Sequence, residues 1–221
     1  MDIFNFSKTV EQGIYDVMLW VFFFPYTLAR IVLLPGRMLL HVEQQFLLEA
    51  DAAFASSMRP ALLLFLSIAL GSLLAPLPAG FVEYLRQFHL AAKVMETWLG
   101  LLAWRMMVYS FFAIVGALLF DLLTPGPVTR DSLRLPFNQQ CYLCAPFALA
   151  IVPLLVIDAF SPSLWVDWAV GLVATWFVGA QYLFFRQFTE AGPLRCLGLA
   201  ASVLAAGVGW IHLTGYVLFA L

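Results

Sequence analysis

Three cysteines and three ionisable residues are the side chains here whose types could do chemistry within an apolar chain. Cys141 and Cys144 form a C-x-x-C pair, and Cys196 opens a later apolar stretch. Residues three apart share a helix face, so the pair could hold a soft metal or cycle between thiol and disulfide. A structural zinc wants four ligands. Only His41 joins the three thiols on the same side of the expected membrane, and the second C-x-x-C of a zinc ribbon is absent. The cysteines therefore read first as small buried apolar residues in a reducing compartment. A metal or redox role, and acylation of an interfacial thiol, are the alternatives. No metal and no cofactor is expected.

Ionisable residues inside a membrane mark function by default. Arg105 stands at the outer mouth of the second apolar stretch, Asp158 near the outer end of the third, and His212 in the outer half of the last. Converging near one face, they would form an ion pair with a hydrogen-bond partner, the polar cluster a permease needs. The alternative is that the charged ends reach water and the histidine is satisfied locally. Pro146 and Pro153 fall in the third stretch, where each removes a helix hydrogen bond and bends the chain. Broken helices line transporter sites, although prolines also occur in membrane helices without that role. Arg130 and Arg134 follow a Pro- and Gly-rich turn at Asp121–Asp131. They could meet an anion or a lipid headgroup, but a positive-inside bias explains both without one. No Gly-rich phosphate loop, H-E-x-x-H or G-x-S-x-G is present, so no catalytic residue is expected.

Membrane helices must hold these residues. The chain has 221 residues, 63% hydrophobic and 11% charged, where a soluble domain has roughly 45–50% and about 25%. That excludes a disordered, collagen-like or disulfide-stapled chain. Lys and Arg number 11 against 13 acids, which speaks against nucleic acid as a partner. The expected fold is an all-α polytopic bundle of five spans over residues 59–79, 104–123, 141–160, 164–185 and 196–221. Each is near the roughly 20 residues that cross a bilayer core. None shows the alternation of a barrel strand. With the N-terminus cytoplasmic, Lys8, Arg30, Arg37, Arg59, Arg130, Arg134, Arg186 and Arg195 lie inside, and Arg86, Lys93 and Arg105 outside. The positive-inside rule thus places the N-terminus in the cytoplasm and the C-terminus outside. Trp165 and Trp168 beside the outer turn, and Trp104, fit an interfacial belt. The Leu- and Ala-rich spans suggest a bacterial inner membrane.

Residues 1–58 form a separate N-terminal segment, read as interfacial, with 59–221 as the bundle. No cleavable signal peptide is expected. Within 14–34, Val17–Ala29 is apolar but short and carries Pro25, which favours an interfacial or re-entrant helix over a sixth span. Leu39, Val42, Phe46, Ala50 and Ala53 recur at helical spacing. Such a helix can lie in the headgroup plane or pack into a partner's groove. Gly80–Ala103 reads as an outer surface helix. In the last span Ala201, Ala205 and Gly209 are four apart, as are Gly198, Ser202 and Ala206. This small-xxx-small spacing brings helix backbones close, within the bundle or between subunits. Thr175 and Gln181 read as links between helices. No internal repeat is visible.

The layout resembles the Yip-domain family of five-span membrane proteins and its bacterial relatives. Met58-Arg59-Pro60-Ala61-Leu62-Leu63-Leu64-Phe65-Leu66-Ser67 is similar to that family's Pro-containing first span. Gln140-Cys141-Tyr142-Leu143-Cys144-Ala145-Pro146-Phe147 is similar to its Tyr-then-Pro helix start. The acidic Asp-Leu-x-Gly-Pro box of eukaryotic members is absent before the first span, and Asp121-Leu122 with Pro125-Gly126 stands in the wrong place. Binding of a partner GTPase is therefore not carried over. The resemblance implies membrane organisation through protein partners, without catalysis. The expected partners are the bilayer itself and either other proteins or further copies of this chain, through the last span and the N-terminal helices. A scaffold or accessory subunit is the leading reading. A small-solute or lipid permease using the kinked third span is the alternative.

Overall fold

The computed structural model describes Met18, residues 20–48, Phe54 and residues 57–220. These form nine helices and no strand among the described residues: α1 (Trp20–Leu33), α2 (Pro35–Phe46), α3 (Pro60–Leu74), α4 (Ala79–Leu85), α5 (His89–Met95), α6 (Trp98–Asp121), α7 (Arg130–Phe160), α8 (Leu164–Phe188) and α9 (Pro193–Ala220). Four of them, α6 to α9, are long and apolar enough to cross a membrane. The chain is an integral membrane protein, and its outward side chains contact lipid. Phe22, Leu73, Leu164, Trp168, Leu172 and Tyr216 are all exposed, a surface that water would not tolerate as a contiguous patch.

The expected first span is shorter than the sequence suggests. Helix α3 has 15 residues, about 22 Å at 1.5 Å per residue, against a hydrocarbon core of about 30 Å. Pro76 and Pro78 stop it, because a residue before proline is pushed out of the helical region; Ala75 sits at φ −133°. Two other boundaries also move. Thr97 caps α6, its hydroxyl accepting from Gly100 N at 3.0 Å, so the helix begins at Trp98 rather than Trp104. Arg105 therefore lies in the third turn and not at a mouth. Thr129 and Ser132 form a reciprocal capping box, which starts α7 at Arg130, well before Cys141.

Helix α7 is the axis of the bundle. It packs on α2, α3, α6 and α8, while α9 closes against α6 and α8. Gln139–Ala148 is buried on every side, as a helix apolar all round must be. Pro136, Pro146 and Pro153 lie inside it, yet it runs as one assigned helix of 31 residues. Pro153 leaves the carbonyl of Leu149 without its amide donor, and Gly71 of α3 stands against that carbonyl, so close that a Cβ there would be 3.4 Å away.

The bundle has two distinct ends. At the α2 end the Arg134 guanidinium lies over the Phe46 ring at 5.6 Å, and Ser132 Oγ donates to Asp121 Oδ2 at 3.0 Å. At the α5 end Phe81 meets Phe160 and Phe88 meets Phe219, with ring centroids 5.3 and 5.2 Å apart. Helices α4 and α5 fold over that end, pinned by Arg86 bridging Glu83 and Glu96 at 2.9 and 3.3 Å. The single outer surface helix expected over Gly80–Ala103 is thus two short helices and the start of α6.

The N-terminal helices sit against the bundle. Helix α1 buries Thr27, Leu28 and Ile31 and turns Val21 and Phe22 outward. Residues 14–17 and 19 of the expected interfacial helix lie outside the described residues. Helix α2 buries Met38, Leu39 and Val42 against α7 and α8 of its own chain. Its apolar face is covered, which corrects the expectation of a face turned to headgroups or a partner's groove. Ala50 and Ala53 lie outside the described residues.

Candidate functional site

The polar groups that the fold buries near the α2 end are satisfied. Gln140 Nε2 donates to Gln181 Oε1 at 3.0 Å, and Gln181 Nε2 donates back to Gln140 Oε1 at 2.6 Å. Both amides are fully buried. Gly116 of α6 makes room, since a Cβ there would strike the Gln140 amide. Tyr142 OH donates to the Met58 carbonyl at 2.6 Å, and Gln139 Nε2 donates to the Leu39 carbonyl at 3.3 Å. His41 Nε2 lies 2.9 Å from Ser57 Oγ. Burial and the nearby Arg30 hold its imidazole below the usual 6.5. Gln181 is thus a link between helices, whereas Thr175 Oγ1 donates to Gly171 O of its own helix at 2.7 Å.

The three cysteines are free and buried. Cys196 Sγ reaches the Ala191 carbonyl at 3.3 Å. No three of the described His, Cys, Asp and Glu residues come together as a metal ligand set.

The expected cluster of Arg105, Asp158 and His212 is not assembled. Arg105 is 4% exposed. Its Nη1 and Nη2 both donate to the Ala75 carbonyl, at 3.4 and 3.3 Å. No ion pair or hydrogen bond joins it to Asp158 or His212. Asp158 is half-buried, and His212 is exposed on α9. Helical phase explains the separation. Val156, Ala159 and Phe160 of α7, and Ile211 of α9, line the space beside Arg105, so the next positions, Asp158 and His212, point elsewhere.

That space is a cavity of about 420 Å³ at the α5 end, walled by α4, α5, α6, α7 and α9. Its lining is apolar apart from Arg105 and the Tyr109 hydroxyl. Trp104 also lines it, and its buried indole N–H has no acceptor. A second groove, of about 860 Å³, shares Trp104 and includes Trp210, whose indole N–H is likewise unpaired, and Lys93. The sequence held one signal of this site. Arg105 sits in Leu101-Leu102-Ala103-Trp104-Arg105-Met106-Met107-Val108-Tyr109, with no acid three or four positions away to pair with along the helix. The cavity itself depends on α4 and α5 folding over the bundle, which no local pattern announces.

At the opposite end two basic clefts open. One, about 560 Å³, gathers Tyr26, Arg30, Arg37 and His41. The other, about 580 Å³, holds Arg130, Asp131, Arg134 and Asn138.

On α9 the small residues divide between two faces. Cys196, Ala200, Val203 and Gly207 point inward, and a Cβ on Gly207 would strike the Phe112 ring. Ala201, Ala205 and Gly209 point outward, with nothing of the chain within 4 Å of a Cβ at Gly209. No family model, no curated protein and no solved structure matches the chain.

Proposed function

We propose that the chain is a non-enzymatic membrane scaffold or accessory subunit, Yip-like in manner, that holds partner proteins or further copies of itself along α9. The observation that carries this reading is the outward face of Ala201, Ala205 and Gly209. Gly207, the glycine of the inward face, already meets Phe112, so the outward set is left for another helix. With the apolar face of α2 covered by its own bundle, α9 is the better surface. In this reading α3 and its flanks make a fifth crossing. Arg30, Arg37, Arg59, Arg130, Arg134, Arg186 and Arg195 gather at the α2 end, which favours that end as cytoplasmic, with the C-terminus outside, in a bacterial inner membrane.

The test is the mass of the complex purified in mild detergent. Ala205→Leu or Gly209→Leu is expected to release the partner or split the oligomer while the protein still elutes folded. Asp158→Asn is expected to leave the complex intact. A wild-type chain that elutes as a bare monomer, or an unaltered complex in both leucine variants, overturns the reading. A permease, the second reading, is favoured by the cavity beside Arg105, and loss of solute flux in Arg105→Gln with an unchanged complex would establish it.

A further inference from the structure

Arg105 is a buried cation with no counter-charge among the described residues. A guanidinium presents five N–H donors, and here only two meet an acceptor, both of them the single carbonyl of Ala75 at long distance. That carbonyl ends α3, where the helix dipole supplies about half a negative charge. The balance of the positive charge is uncompensated in an apolar setting, and buried charges persist when paired. The neighbouring Trp104 N–H also lacks an acceptor. The unmet need of Arg105 for an anionic oxygen thus borders one cavity.

The walls define the rest of the ligand. Phe81, Val108, Phe160, Ile211 and Phe219 surround a volume of about 420 Å³, within the roughly 300–1,000 Å³ of small-molecule sites. A small hydrated anion would forgo its water there and gain no apolar contact. A neutral lipid would fill the walls and leave Arg105 unpaired. We propose that this cavity binds an anionic amphiphile, a carboxylate or phosphate head on one acyl chain, with the head on Arg105 and the chain among Phe81, Phe160 and Phe219. The site is independent of the contact face on α9, so either can fail without the other.

The full chain, purified in non-ionic detergent and stripped of lipid, is titrated with radiolabelled palmitate, lysophosphatidate and hexadecanol. Saturable one-to-one binding of palmitate, lysophosphatidate or both is expected, with hexadecanol weaker by about tenfold or more. Preference between the two anions tells a carboxylate head from a phosphate head. Arg105→Met is expected to weaken the anion by about tenfold or more, and Arg105→Lys to keep most of the affinity. Val156→Phe, which fills the cavity and leaves the charge in place, is expected to abolish binding even if Arg105→Met does not fold. Equal binding of hexadecanol, no saturable anion binding, or full affinity in a folded Arg105→Met or Val156→Phe protein overturns the proposal.

Discussion

The two ends of the bundle differ in how their buried polar groups are paired. Towards the α2 end, Gln140, Gln181, Gln139, Tyr142 and Asp121 each have a partner, usually on another helix. Towards the α5 end, Ser72 and Thr214 donate only within their own helices, Arg105 leans on one distant carbonyl, and the indoles of Trp104 and Trp210 and the hydroxyl of Ser163 have no partner. A paired polar group in a dry interior orients helices. An unpaired one costs stability, and persists where something outside the chain completes it. The α2 end accordingly reads as architecture, and the α5 end, through Arg105, as the place of the proposed ligand.

The sharpest way to break the architectural end is to fill the space that Gly116 leaves. Gly116→Leu drives a side chain into the Gln140 amide. Overpacking and a lost amide pair together predict a loss of about 3 kcal/mol or more, read as a collapse of folded yield and thermal midpoint in detergent. An unchanged midpoint would mean that the α6–α7 contact is not tight. The opposite end should respond with the opposite sign. Arg105→Met removes a buried charge that lacks a partner, and in the lipid-stripped protein it should be neutral or stabilising, by up to about 4 kcal/mol. A large destabilisation would show that the Ala75 contact is structural and would erase the contrast between the ends.

How legible the molecule was follows the same division. Helices α6 to α9 announce themselves by long apolar runs, since each must satisfy its own backbone in lipid. The all-helical class and the membrane setting follow directly. The bounds were less legible, because caps decide them. Thr97 and Thr129 with Ser132 lengthen α6 and α7 beyond their apolar stretches, while Pro76 and Pro78 shorten α3. The site was legible as residue types and illegible as geometry. Arg105 stands out in the sequence as an ionisable residue expected at the mouth of an apolar stretch, and the fold buries it instead; grouping it with Asp158 and His212 assumes that nearby depth means contact. One residue along a helix turns a side chain by about 100°, enough to put Asp158 and His212 outside the cavity that Ala159 and Ile211 line.

Gln181→Leu tests whether pairing at the α2 end is reciprocal. It leaves the Gln140 amide buried and unmatched, for an expected loss of about 1 kcal/mol. Adding Gln140→Leu should recover much of that loss, since two apolar side chains need no partner. If the double variant is as unstable as the sum of the singles, the amides contribute shape and not hydrogen bonding. The measurement is a double-mutant cycle in thermal midpoints.

The smallest expected effect is the most specific. His41 bridges α2 to Ser57 at the foot of α3, and burial with Arg30 disfavours its protonated form. Its folded value lies below 6.5, so as pH falls through 6.5 the unfolded chain takes up the proton first. The stability His41 contributes is therefore present above that value and is lost as pH drops through the lower, folded one. Comparing wild type with His41→Gln from about pH 8 to about pH 5, the wild-type midpoint should fall further. The difference should shrink when Arg30→Gln removes the nearby charge, because repulsion by that charge is one of the two causes of the shift. Parallel decline in both proteins would place the acid sensitivity elsewhere. The glutamine variant alone resisting acid would make this junction a titrating joint of that end.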